Sequence, residues 1–94
     1  MFGTIGHFTF EPANRAKLDE VMARQAGVEV DGFVGGYVLY PEGKEGEAYL
    51  MAIFSDRDAY YRNADDPAQH ERYTEYRALL NEDPTWTDGQ ITSS

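Results

Sequence analysis

The chain has no cysteine, which removes disulfides, thiolate nucleophiles and cysteine zinc sites and suits a reducing compartment. Basic residues are scarce: there are 8 against 17 acidic ones, for a formal charge of −9, and they form no run. Such a surface repels phosphate backbones and anionic lipid, so neither nucleic acid nor a membrane is an expected partner. No apolar stretch approaches the ~20 residues of a membrane span, and the opening MFGTIGHFTF lacks the basic lead and apolar centre of a signal peptide. A soluble cytoplasmic protein is expected. Histidine occurs only twice, at His7 and His70, and no HxH, HxxxH or HxxE pattern joins them. Metal sites are specified by ligand type and spacing, so no metal is expected. The glycines of GFVGGY neither match a nucleotide fingerprint nor open a helix.

What is present fits one small domain, residues 1–94, with a thin core that a partner subunit would thicken. Phe2 to Phe10 alternates as a strand that Pro12 ends. In ANRAKLDEVMARQAG, Leu18, Val21 and Met22 share a helical face, Arg15 with Asp19 and Glu20 with Arg24 have ion-pair spacing, and Gly27 closes the helix. GFVGGYVLYP and EAYLMAIF are two strands joined by PEGKEG, a short turn that implies an antiparallel hairpin. A short helix follows at about 56 to 64. Asp66 then caps a longer one from 67 to 81, with Pro67 at its first position and Gln69 placed as in a capping box. WTDGQIT is the last strand, with Trp86 anchoring the turn before it.

Strand, helix, strand, strand, helix, strand is the order of an α+β, ferredoxin-like domain, in which right-handed crossovers put both helices on one face of a four-stranded antiparallel sheet. In the third strand Ala48, Leu50, Ala52 and Phe54 oppose Tyr49, Met51 and Ile53; in the second, Phe33, Tyr37 and Leu39 oppose Val34, Val38 and Tyr40. Both faces are apolar, although a sheet covered on one side normally shows polar residues on the other. The expected cover is a second copy of the chain, a homodimer through the sheet face. Gly35 and Gly36 within a strand point to a bulge or a close backbone approach.

Four of the seven tyrosines, one histidine and four of the eight basic residues fall in Ser55–Leu80, SDRDAYYRNADDPAQHERYTEYRALL. On the longer helix Gln69, Tyr73, Tyr76 and Leu80 form one stripe towards the sheet, flanked by His70 and Arg77 on one side and Arg72 and Leu79 on the other. Two readings follow. Tyr73 and Tyr76 are core aromatics with hydroxyls at the rim, or their hydroxyls line a pocket between helix and sheet.

The element order, the segment SDRDAYYRNADDPAQHERY after the third strand and the closing DPTWTDGQI resemble the antibiotic biosynthesis monooxygenase type of dimeric α+β barrel, over Phe2 to Thr92. The resemblance implies dimers whose two sheets meet as a barrel, and a cavity between sheet and helices in each subunit. It also implies cofactor-free oxidation of aromatic polyketides and quinols, or haem degradation. Haem-degrading members carry a helical tryptophan and a haem-ligating histidine where this chain has Asn63 and Tyr73, which disfavours that activity; only a shift in register would bring His70 to the ligand place. The helical tryptophan of polyketide-oxidising members is also missing. The expected site is therefore His7 or His70 as proton acceptor, with Asn63 and either Tyr73 or Tyr76 stabilising the oxyanion of a small aromatic ligand, and with no cofactor. His7 has a second reading, as a core or dimer-face imidazole bonded to a neighbour. The alternative for the whole protein is a non-catalytic ligand-binding or structural barrel.

Overall fold

The computed structural model describes residues 1–94. Strands β1 (Phe2–Thr9), β2 (Phe33–Leu39), β3 (Glu47–Phe54) and β4 (Thr85–Gln90) and helices α1 (Arg15–Ala26), α2 (Arg57–Ala64) and α3 (Pro67–Arg77) succeed one another as β1-α1-β2-β3-α2-α3-β4. The sheet is antiparallel in the order β2-β3-β1-β4, the ferredoxin-like α+β arrangement.

Local chemistry explains the boundaries. The Asp56 carboxylate accepts from the Ala59 amide at the start of α2, and Asp66 accepts from Ala68 at the start of α3, each satisfying an orphan donor of a first turn. Gln69 does not complete a capping box; its amide oxygen accepts from Arg72 Nε at 3.2 Å. Helix α3 ends at Arg77, four residues short of the expected end, because Leu80 leaves the helix to bridge Phe10 of the sheet. Arg24 pairs with Glu75 of α3 at 2.9 Å, tying two helices together instead of bonding Glu20 within its own.

The core occupies one end of the helix-covered face, where Phe8, Phe10, Leu18, Val21, Ala48, Tyr76 and Leu80 pack together. Leu80 is buried although it is not helical. Leu80→Ala is expected to cost ~2 to 5 kcal/mol in urea unfolding. A loss under about 1 kcal/mol would mean that the Phe10 bridge, rather than the side chain, is what Leu80 supplies.

The bulge lies earlier in β2 than a Gly35-Gly36 pair alone suggests. Phe33 pairs with Phe54 and Gly35 with Ile53, leaving Val34 as the extra residue. Phe33 is thereby turned to the helix side, against Phe54, and not to the outer face with Tyr37 and Leu39 as simple alternation predicts. The outer face carries Ile5, Tyr37, Leu39 and Tyr49, all more than 40% exposed in the single chain.

Candidate functional site

At the other end of the helix-covered face the sheet is floored by small residues. Gly36, Ala52 and Thr4 lie side by side on β2, β3 and β1, with Asp88 of β4 next in the row. Three neighbouring positions without a large side chain cannot fill the space beneath α2 and α3, and a cavity results. One lobe, about 380 Å³, is bounded by Thr4, Tyr60, Asn63, His70, Tyr73, Tyr76, Trp86 and Asp88. A second, about 180 Å³, runs towards α1 between Met22, Val28, Val30, Phe33, Val38 and Arg72. Leu50, Ala52, Phe54, Asn63, Gln69 and Tyr76 belong to both walls. The first lobe is studded with polar groups, and the second is largely apolar.

Four of the five expected site residues converge on the first lobe: Asn63, His70, Tyr73 and Tyr76. Tyr73 and Tyr76 meet edge to face at 5.3 Å, and Tyr76 stacks on Phe8, so Tyr76 belongs to the core while the half-buried Tyr73 packs against its edge and lines the lobe. Both sequence readings of the stripe therefore hold in part. Burial, helped by the neighbouring Tyr73 and Tyr60, pushes the Tyr76 phenol well above its ordinary pKa. It is a neutral hydroxyl at any physiological pH. Asn63 Oδ1 accepts from Arg72 Nη2 at 3.4 Å, an arrangement that turns the amide NH₂ away from Arg72 and leaves it to donate.

His7 does not join them. It lies on the outer face of β1, its Nε2 3.3 Å from Glu47 Oε1 and its ring over Tyr49 at 4.8 Å, with the sheet between it and the cavity. An odd position on β1 points away from Thr4, Gly6 and Phe8, so this imidazole cannot act on a ligand in the cavity of its own chain. His70 is the histidine at the site; it is solvent-exposed, on the rim of the first lobe.

Other lining residues were not legible as such in the sequence. Trp86 is not a buried turn anchor: it stands on β4 opposite Gly6, is 41% exposed, and lays its ring across the space that glycine leaves open. A Cβ at Gly6 would lie 2.5 Å from the indole. The one tryptophan thus reaches the cavity from the sheet. Tyr60 donates to Asp88 Oδ1 at 2.9 Å. Burial and then that carboxylate push its pKa up to about 12, so it too stays protonated. Pairing the residues of β4 with those of β1 was the missing signal, since it alone brings Trp86 and Asp88 to Gly6 and Thr4.

No protein-family model and no curated protein matches the chain in sequence. Solved structures do match in shape. A variant of SnoaB, a cofactor-independent oxygenase from Streptomyces nogalater, superposes with a TM-score of 0.83 at 24% identity, over 99% of this chain and 94% of that one. A Deinococcus radiodurans protein assigned provisionally as an antibiotic biosynthesis monooxygenase gives 0.83 at 14% identity, over 100% and 95%. One from Nitrosomonas europaea with the same provisional assignment gives 0.79 at 10%, over 99% and 100%. The fold is the one these structures share.

Proposed function

We propose that the chain is a monooxygenase of the antibiotic biosynthesis type that needs no cofactor and acts on an electron-rich phenol or quinol held between sheet and helices. The observation that carries this reading is the convergence of Asn63, His70, Tyr73 and the neutral Tyr76 hydroxyl on one lobe that also presents the apolar surfaces of Leu50, Ala52, Phe54 and Trp86. The shape likeness to a cofactor-independent oxygenase supports it.

In this reading His70 takes the acidic proton of the substrate, and the Asn63 amide with the Tyr73 hydroxyl stabilises the oxyanion that forms. The ionised, electron-rich ring passes one electron to dioxygen, and the resulting radical pair combines to a peroxide. For an anthrone-like substrate, loss of water from that peroxide converts a ring CH₂ to C=O. One oxygen atom of O₂ then stays in the product and the other leaves as water. The test is oxygen uptake by metal-stripped protein with a panel of quinols and anthrone-like phenols. Tyr73→Phe should lower uptake about tenfold or more while leaving the melting temperature within a degree or two, because only a hydroxyl of a half-buried ring is lost. Full activity in that variant would remove Tyr73 from the oxyanion site. Absence of uptake from correctly folded wild type would favour the second reading, a binding protein that holds its ligand unchanged.

The same reading includes a homodimer through the outer sheet face. Ile5, Tyr37, Leu39 and Tyr49 form an apolar surface there, on a small and strongly charged chain that has no other reason to expose them together. Sedimentation velocity at micromolar concentration should give twice the 10.6 kDa of the chain.

A further inference from the structure

Arg72 lines the second lobe and is half-buried, yet it has no carboxylate partner. Carboxylates are not in short supply in a chain with 17 of them. Arg15, Lys17, Arg24, Arg62 and Arg77 each pair with an acidic side chain. Arg57 lies over the Tyr61 ring, and both Arg57 and Lys44 are open to solvent. On the walls of the helix-sheet cavity, Arg72 is the basic residue, and its charge is uncompensated. The nearest acidic residue along its helix face, Glu75, is engaged elsewhere: both its oxygens accept from Arg24 and one also from Gln25. Asp88, the carboxylate that lines the first lobe, is bound to Tyr60.

The guanidinium is nevertheless held in place. Its Nε donates to Gln69 Oε1 at 3.2 Å and its Nη2 to Asn63 Oδ1 at 3.4 Å. Two neutral carbonyl oxygens orient the fork, leave its charge unmatched, and leave three of its five N–H groups to donate. A part-buried arginine set among Val28, Val30 and Phe33 is costly to desolvate unless something anionic meets it.

We propose that Arg72 is an anion-binding residue of this cavity and that the ligand is an amphipathic organic acid. Its carboxylate sits on the Arg72 fork, and its ring system lies on Leu50, Ala52 and Phe54, which both lobes share, with its hydroxyl end in the first lobe. This rests on the reading of the helix-sheet cavity as the ligand site, and adds to it the charge and orientation of the ligand. Asp88 reinforces the orientation, since a carboxylate in the first lobe would be repelled.

Titration calorimetry at neutral pH with a matched pair of probes, naphthoate and naphthamide, tests it. Wild type is expected to bind the acid at least about tenfold more tightly than the amide, the range of a charge-assisted pair, and added salt should narrow the gap. Arg72→Gln should erase the preference while naphthamide still binds; Arg57→Gln should leave it intact. Arg72→Lys, which keeps the charge and loses the fork, should retain part of it, so the idea stays testable if the glutamine variant fails to fold. No preference in wild type, or a preference that survives Arg72→Gln, overturns the anion site and leaves the cavity reading standing. Binding of neither probe overturns both.

Discussion

In the proposed oxygenase reaction Asn63→Ala is expected to lower turnover by about 10²- to 10³-fold, the cost of losing one preorganised donor to a developing oxyanion. The size of the effect follows from how this amide is held. Its oxygen accepts from Arg72, which favours one side-chain rotation and leaves the NH₂ free to donate, on a wall shared with Tyr76. A donor oriented in advance costs no reorganisation when charge builds up on the substrate. Because Asn63 is only half-buried and belongs to the cavity wall, not the core, the variant should fold normally. The measurement is steady-state oxygen uptake, with kcat and KM separated, on a substrate from the responsive part of the panel. A variant whose KM rises while kcat holds would show that Asn63 binds the ground state and does not stabilise the oxyanion. In that case the donor role would pass to Tyr73 and Tyr76.

If the chain pairs through its outer sheet face as proposed, Leu39→Asp should weaken that dimer at least about a hundredfold, since an unpaired charge forced into an apolar interface costs several kcal/mol per copy. Leu39 is 58% exposed in the single chain and neighbours Tyr37, at 68%, on strand β2 at the edge of the sheet. Each chain already carries a net charge of −9, so a carboxylate added at the proposed contact would meet repulsion as well as desolvation. Sedimentation across a concentration series gives the dissociation constant directly. The cavity is on the opposite side of the sheet, so naphthamide binding by any remaining dimer should be unchanged. A dimer untouched by Leu39→Asp would place the interface elsewhere, and a monomeric wild type at high concentration would dispose of the sheet-face dimer altogether.

The elements themselves were readable because each rests on local chemistry. Pro67 after Asp66, the apolar spacing of Leu18, Val21 and Met22, and the β-branched and aromatic run of EAYLMAIF act over a few residues, and the helices and strands appear where those signals stand. The stripe of Gln69, Tyr73 and Tyr76 was equally plain, since helical periodicity fixes which residues share a face. Misreadings came where distant contacts overrule local pattern. Leu80 leaves the helix for Phe10, and Arg24 prefers Glu75 on another helix to Glu20 on its own.

His7 shows the limit most clearly. Alternation placed it on the face of β1 away from Phe8, but which face the helices cover is decided by packing, and the helices took the other one. The sequence by itself determined the order of the elements, the excess of negative charge, the absence of thiol chemistry and the group of tyrosines on α3. Only the tertiary structure decided that there is a cavity, because the cavity depends on register. The bulge at Val34 brings Gly36 beside Ala52, the pairing of β1 with β3 puts Thr4 on its other side, and the pairing of β1 with β4 sets Trp86 over Gly6. Residues far apart along the chain, such as Gly6 and Trp86, become neighbours only when strands pair, and a row of small side chains becomes a floor only when it is assembled.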